Sequence, residues 1–149
     1  MNKKFARKLI EHPCDQTTNE LFDEVQDGVF WVNWREADED IIGLAARIIG
    51  GDKLSPEWID GKLNVKFHET LTEIPLKFEP GEQDITLLAL NKAIEPEFEI
   101  RFIEASDGGD TLAFLILDKE SWSELDLVFG TKVDDAFTKI ESGSSFFGD

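Results

Sequence analysis

Six consecutive apolar residues, 112–117, place the strongest constraint on how this chain can fold. A strand with one face in water alternates apolar and polar side chains, whereas a strand that is apolar at every position is covered on both faces. The segment is far too short to span a bilayer. It therefore predicts a central strand with packed layers on both sides.

Alternating patterns predict four further strands. Apolar residues recur at every second position in segments 29–34, 62–67, 74–78 and 98–102. The Asp-Gly pair at 60–61 predicts a turn, and the Asp-Gly-Gly-Asp segment at 107–110 predicts a hairpin connection between two strands. Pro75 cannot donate a ladder hydrogen bond, so it places the strand at 74–78 near a sheet edge.

Apolar residues spaced three and four apart predict helices over 5–10, 17–28, 38–49, 85–94, 122–129 and 131–140. The order of elements predicts an α+β fold with a mostly antiparallel sheet of about five strands and helices packed on it. One domain is expected over residues 1–141. A flexible tail, rich in Gly and Ser, is expected over 142–149, with Phe146 and Phe147 inside it.

Local sequence signals refine these elements. Asp38 precedes an apolar helical stripe and is predicted as its N-cap. Ser55-Pro56-Glu57 predicts one helical turn, because proline is favoured at the first helical position. Thr131 and Asp134 have the spacing of a capping box for the last helix. The first helix has a small apolar face, so we expect it to be peripheral.

The charge of the chain limits its partners. Thirty-two Asp and Glu oppose fifteen Lys and Arg, for a formal net charge of −17, while 41% of residues are hydrophobic. A chain with that apolar content folds, so the acid lies on a folded surface. Such a surface repels nucleic acid and anionic membrane and favours a cationic protein. A solvated acidic surface that serves only solubility explains the same composition.

The sequence contains no pattern that predicts catalysis, a metal site or a cofactor. Cys14 is the single cysteine, and the His12-Pro13-Cys14 segment lacks a residue that would orient a thiol–imidazole pair. His68-Glu69 has no zinc-ligand spacing around it. We therefore expect a protein that is not an enzyme. The basic N-terminal residues lack the apolar run of a signal peptide, so a cytoplasmic location is expected.

Aromatic and acidic residues lie close together after the first predicted strand. Trp31 and Trp34 fall on opposite faces of that strand, so at least one faces a second layer or a surface. An aromatic ring beside carboxylates suits Lys and Arg recognition. The predicted partner-binding residues are Trp31, Trp34, Glu36, Asp38, Glu39 and Asp40. Alternatively, the tryptophans are core residues and the acids serve the helix dipole.

The segments Val32-Asn33-Trp34-Arg35-Glu36, 85–91 and 98–114 look similar to segments of small bacterial cytoplasmic proteins. Together with the size and acidity of the chain, they resemble the immunity proteins of contact-dependent growth inhibition and related toxin systems. The resemblance implies an antitoxin that neutralises a cognate, basic, nuclease-type toxin domain by stoichiometric binding. The alternatives are an acidic interaction module with a housekeeping role and a carboxylate-based metal-dependent hydrolase.

Overall fold

The computed structural model describes residues 1–12 and 26–147, and within them it has an α+β fold. The predicted helix over 17–28 lies almost wholly outside these residues. Five helices are described: α1 (Lys3–Glu11), α2 (Asp38–Ile49), α3 (Gln83–Ile94), α4 (Lys119–Phe129) and α5 (Lys132–Ala136). Seven strands are described: β1 (Val29–Asn33), β2 (Leu54–Ile59), β3 (Lys62–Phe67), β4 (Thr70–Glu73), β5 (Phe98–Ile103), β6 (Thr111–Asp118) and β7 (Phe137–Lys139).

The strands form two antiparallel sheets rather than the single sheet of about five strands that the sequence predicts. The larger sheet has the order β1-β6-β5-β7, and the smaller one has the order β2-β3-β4. Strand β6 is thus an inner strand, as its apolar run predicts. Phe114 and Ile116 face a first core, and Ala113, Leu115 and Leu117 face a second core on the opposite side.

The two cores are built by different elements. The first core lies between the larger sheet and a layer formed by α2, α3 and the smaller sheet. The second core lies under α1, α4 and α5. The sequence predicts a peripheral α1, whereas the structure buries its apolar face, with Phe5, Leu9 and Ile10 at most 4% exposed. Helix α1 is therefore part of the second core.

The smaller sheet differs from prediction at two places. Ser55-Pro56-Glu57 is not a helical turn but part of β2, where Pro56 is tolerated because β2 is an edge strand. The prediction of a strand at 74–78 is wrong. Strand β4 follows β3 after a two-residue turn and forms a hairpin with it. His68, the first residue of that turn, has a φ of 54°. Phe67 faces Thr70 and Asn64 faces Glu73, so β4 ends at Glu73, and the backbone N–H of Ile74 adds one hydrogen bond to the Leu63 carbonyl at 2.9 Å.

Two helix-cap predictions are also wrong. Ala37 occupies the N-cap of α2, and the Asp38 carboxylate instead accepts a hydrogen bond from the Thr86 hydroxyl at 2.7 Å. A partner on α3 thus replaces the local cap. Thr131 makes no side-chain cap, and α5 ends at Ala136.

The residues predicted to extend the last helix form a strand. Phe137 begins β7, which pairs with β5. Phe137 lies in the second core and Ile140 lies in the first. One helical stripe would have put both side chains in the same core, so the extended backbone is what lets them reach opposite faces.

The C-terminal segment contacts the first core. Backbone N–H groups of Phe146 and Phe147 donate to the two carboxylate oxygens of Asp84 at 2.9 and 3.2 Å. The Phe146 ring lies 4.8 Å from the Phe102 ring and 5.7 Å from the Phe114 ring. These contacts place the pair of phenylalanines at one end of α3.

A buried cation joins α4 to the larger sheet. Arg101 is 2% exposed and donates to both carboxylate oxygens of Asp126 at 3.0 Å and to Glu99 at 2.7 Å. Its guanidinium lies 4.2 Å from the centre of the Trp122 ring. Burial lowers the pKa of Arg101, but the hydrogen bonds and charges of the two carboxylates outweigh burial and raise it above the ordinary value.

Candidate partner-binding surface

The structure separates the two tryptophans of the predicted binding set. Phe30 and Val32 on β1 point into the first core, and Trp31 points to the opposite face of the strand, where it is exposed. Trp34 follows the end of β1 and is 51% exposed. The carboxylates Glu36, Asp38, Glu39 and Asp40 come directly after Trp34, at the start of α2. Of the two tryptophans, Trp34 is therefore the one that lies next to the N-terminus of α2.

A second exposed tryptophan joins the acidic end of α2. Trp58, at the end of β2, donates its indole N–H to the Glu39 carboxylate at 2.8 Å. The Phe78 ring stacks on Trp58 with 6.4 Å between centroids. Trp58 and Phe78 are 51% and 64% exposed. Glu39 therefore positions an aromatic pair that remains largely in contact with water.

The sequence alone does not reveal this pair. Phe78 looks like the third apolar position of a strand, but its backbone has a φ of +62° and its ring points outward. A phenylalanine at positive φ is uncommon, because the β-carbon crowds the backbone there. The only local sign of the turn is the Pro80-Gly81 pair that follows it.

An open cavity of about 530 Å³ adjoins Trp34. It is lined by residues 34–36, 38, 79–83 and 147. The lining contains four carboxylates, Glu36, Asp38, Glu79 and Glu82, against one cation, so its formal charge is −3. Such a concave acidic site concentrates the negative electrostatic potential and attracts cations.

The loop on one side of this cavity is held by a buried carboxylate. Glu82 is 7% exposed, and its two oxygens accept the backbone N–H groups of Lys77 at 2.8 Å and Glu79 at 2.7 Å. These bonds organise the segment that leads into α3. Phe78, between the two anchored amides, is thereby presented to solvent.

Gln83 holds the other side of the cavity. Its side-chain N–H₂ group donates to the backbone oxygens of Trp34 and Glu36, the latter at 3.3 Å. Because both acceptors are carbonyl oxygens, the side-chain atom that faces them is the amide nitrogen. The other polar atom of the amide is Oε1. That oxygen is buried, and within residues 1–12 and 26–147 it has no hydrogen-bond partner, although buried polar atoms are nearly always paired.

Trp34 already accepts a cation from its own chain. The Arg35 guanidinium carbon lies 4.5 Å from the centre of the Trp34 ring. The geometry is that of a cation–π contact between a guanidinium and an indole. It shows that this ring can accommodate the planar cation of an arginine.

We refer to Trp34, Trp58, Phe78, Glu36, Asp38, Glu39, Asp40 and Glu79 together as the acidic–aromatic surface. It combines anchored aromatic rings, several carboxylates and a cavity at one end of the fold. A second apolar pair, Leu127 and Val128, is exposed on α4. Helix α4 also carries Glu120 and Glu124, so its outer face is acidic as well.

Within residues 1–12 and 26–147, no group of three or more His, Cys, Asp and Glu side chains is arranged to hold a metal ion. In the same part of the chain, no helix combines the length and apolar character needed to cross a membrane.

Comparison of the chain with protein-family models, with curated proteins and with solved structures finds no match. The functional argument therefore depends on the chemistry of the surface itself.

Proposed function

We propose that this protein is an immunity protein that binds a basic, nuclease-type toxin domain and neutralises it by stoichiometric inhibition. The observation that carries the proposal is the acidic–aromatic surface. Trp34, Trp58 and Phe78 are each about half exposed or more, and carboxylates stand beside all three. Large aromatic side chains are the residues that most often dominate binding energy at protein interfaces.

The charge of the surface supports a cationic partner. Carboxylates around an aromatic anchor speed the encounter with a basic protein and discriminate against acidic ones. A nuclease binds an anionic substrate and therefore has a basic cleft, to which an acidic surface is complementary. Rapid association also suits an inhibitor that must act before its target reaches nucleic acid.

Preorganisation of the surface favours tight binding. Glu39 holds Trp58, Thr86 holds Asp38, and Gln83 holds the backbone on either side of Arg35. Groups already fixed in the free protein lose less conformational entropy when they enter an interface. The same features would serve a housekeeping interaction module, so the experiment must test toxin neutralisation itself.

The proposal predicts a toxin gene next to the gene of this protein, and the test is co-expression with its toxin domain, combined with association kinetics on the purified pair. Wild-type protein should restore growth and bind in a one-to-one complex. The double variant Asp40→Lys with Glu79→Lys should slow association about tenfold at low salt, and the difference should shrink as salt screens the charges.

A matched control carries the same change of net charge elsewhere. Glu95 and Glu141 are exposed and line a different cavity, toward the C-terminal end of α3. Glu95→Lys with Glu141→Lys should change the association rate by less than about twofold, because exposed charges away from the contact are screened over ~10 Å. Equal losses in both double variants would refute this surface, and binding without growth protection would refute the immunity function.

A further inference from the structure

One outer face of the molecule is formed by two helices of opposite charge, α1 and α4. We propose that this face pairs with the same face of a second copy of the chain, so that α1 of each copy lies against α4 of the other in a two-fold dimer. The inference goes beyond the proposed function, because these helices lie on the opposite side of the larger sheet from α2 and its acidic–aromatic surface.

Helix α1 carries a basic stripe. Its apolar side faces the second core, so Lys4, Arg7 and Lys8, which are three and four positions apart, lie side by side on its exposed side. In the described part of the chain none of these three cations forms an ion pair, whereas Lys3 pairs with Glu124. The first eight residues thus hold four of the fifteen Lys and Arg of a chain with a net charge of −17. An anionic group can therefore bind along this stripe.

Helix α4 carries the complementary stripe. The buried side of α4 faces the same core, and its outer side carries two acids followed by two apolar residues, Glu120, Glu124, Leu127 and Val128. Leu127 and Val128 are 88% and 70% exposed, the highest values among the large apolar side chains of residues 1–12 and 26–147. A contiguous exposed apolar patch with charges at its rim is a feature of protein–protein contact sites.

The two stripes together form a face that is complementary to itself. Helices α1 and α4 pack on one core, and the ion pair between Lys3 and Glu124 joins them side by side. A two-fold axis between two such stripes brings each one onto its opposite in the second copy, which closes a dimer. The helices are about 14 and 17 Å long at 1.5 Å per residue, so the stripes match in length.

A second copy fits this face better than other partners do. Nucleic acid or an anionic membrane matches the basic stripe but is repelled by the carboxylates of α4. A uniformly basic protein matches α4 but meets like charge at α1. Only a partner with both charges side by side matches both stripes. At ~0.15 M salt the screening length is ~8 Å, so long-range repulsion between two acidic copies is weak while ion pairs in contact persist.

The test is sedimentation equilibrium of the full-length chain at ~0.15 M salt, at protein concentrations up to about 300 µM. Wild-type protein should show a monomer–dimer equilibrium with a Kd of about 100 µM or tighter. Leu127→Glu should weaken the dimer about tenfold or more, because it places a carboxylate in the apolar part of the contact. Leu71→Glu is the matched control, because it makes the same change at an exposed leucine of the smaller sheet and should alter the Kd by less than about twofold.

Charge reversal tests the pairing of the stripes directly. Arg7→Glu with Lys8→Glu makes both helices acidic, and Glu120→Lys with Glu124→Lys makes both basic, so each double variant should self-associate about tenfold more weakly than wild type. An equal mixture of the two should form a heterodimer with a Kd within about threefold of the wild-type value, because each reversed stripe again meets the opposite charge.

The basic double variant separates the contact from general repulsion. Two Glu→Lys changes reduce the net charge from −17 to −13, so general repulsion alone predicts stronger self-association, whereas the proposed contact predicts weaker self-association. Thermal unfolding checks that each variant is folded.

A wild-type chain that stays monomeric at about 300 µM, or reversed variants that do not associate when mixed, would overturn the dimer. Stronger self-association of the basic variant would overturn it as well. If the wild type is monomeric and Arg7→Glu with Lys8→Glu abolishes growth protection, this face binds the toxin instead. Monomeric variants that still protect growth would show that the dimer and the proposed function are independent.

Discussion

Replacing Phe5 by Ala tests whether α1 belongs to the protein core. The Phe5 side chain is 2% exposed and packs in the second core with Leu9, Trp122 and Phe137. Removing a buried phenylalanine ring and leaving a cavity costs about 3–5 kcal/mol of unfolding free energy. Alanine is the better helix former by about 0.5 kcal/mol, which offsets a little of this loss. We expect a net destabilisation of about 3–4 kcal/mol.

The measurement is urea unfolding followed by tryptophan fluorescence, with thermal unfolding alongside. The midpoint should fall with an unchanged denaturant slope, since the variant exposes the same surface on unfolding. For a chain of this length the melting temperature should drop by about 10 °C, from a shift of about 2–4 °C per kcal/mol.

Arg7→Ala is the control, because Arg7 is on the exposed side of the same helix and should change stability by less than about 0.5 kcal/mol. A loss of less than about 1 kcal/mol for Phe5→Ala would refute the placement of α1 in the core. It would support instead the peripheral helix that the sequence suggests. Binding of the proposed toxin partner should be unaffected in the folded variant, since α1 packs on the opposite face of the larger sheet from α2.

Two further predictions concern buried charge and helix capping. Arg101→Met should lower the unfolding free energy by about 3 kcal/mol, since it removes the cation that Asp126 shares with Glu99 and leaves Glu99 with Lys119 at 3.8 Å, and urea unfolding should show a smaller loss for Asp126→Asn. An Arg101→Met variant with an unchanged or higher free energy of unfolding would contradict this prediction. Burial raises the pKa of Asp118, but hydrogen bonds from the Ser121 hydroxyl and backbone N–H outweigh it and bring the pKa below its ordinary value of 3.8. A depressed pKa means that this stabilisation is complete above pH 3.8 and is lost as the pH falls through the lower, folded-state value. The stability advantage over Asp118→Ala should therefore be largest near neutral pH, at about 1 kcal/mol for an N-cap, and should decrease in acid unfolding series carried well below pH 3.8. A constant difference down to that pH would show that the carboxylate charge is not involved.

The candidate surface was only partly predictable. Trp34 and the acids from Glu36 to Asp40 stand out because an aromatic side chain is followed at once by carboxylates. Trp58 and Phe78 were not included, because nothing local links the end of β2 or the loop before α3 to the start of α2. Trp31 looks equivalent to Trp34 in the sequence, but strand alternation turns it to the other face.

The sequence by itself determined the features that depend on short-range periodicity. The α+β class, the inner position of β6, the bounds of α2 and the end of α3 at Ile94 follow from patterns that repeat every two or every three to four residues, and the turn at Asp60-Gly61 follows from its Asp-Gly pair. Such patterns indicate which side of an element is buried, so they can be interpreted without knowing which segment packs against that side.

Only the tertiary structure decided what each buried side meets. The second sheet, the strand at Phe137 and the contact between Asp38 and Thr86 depend on partners distant in the chain. The cavity depends on Gln83 reaching the backbone of Trp34, a residue 49 positions earlier. The free energy that favours these choices comes from burial and pairing between segments, and no window of local sequence contains it.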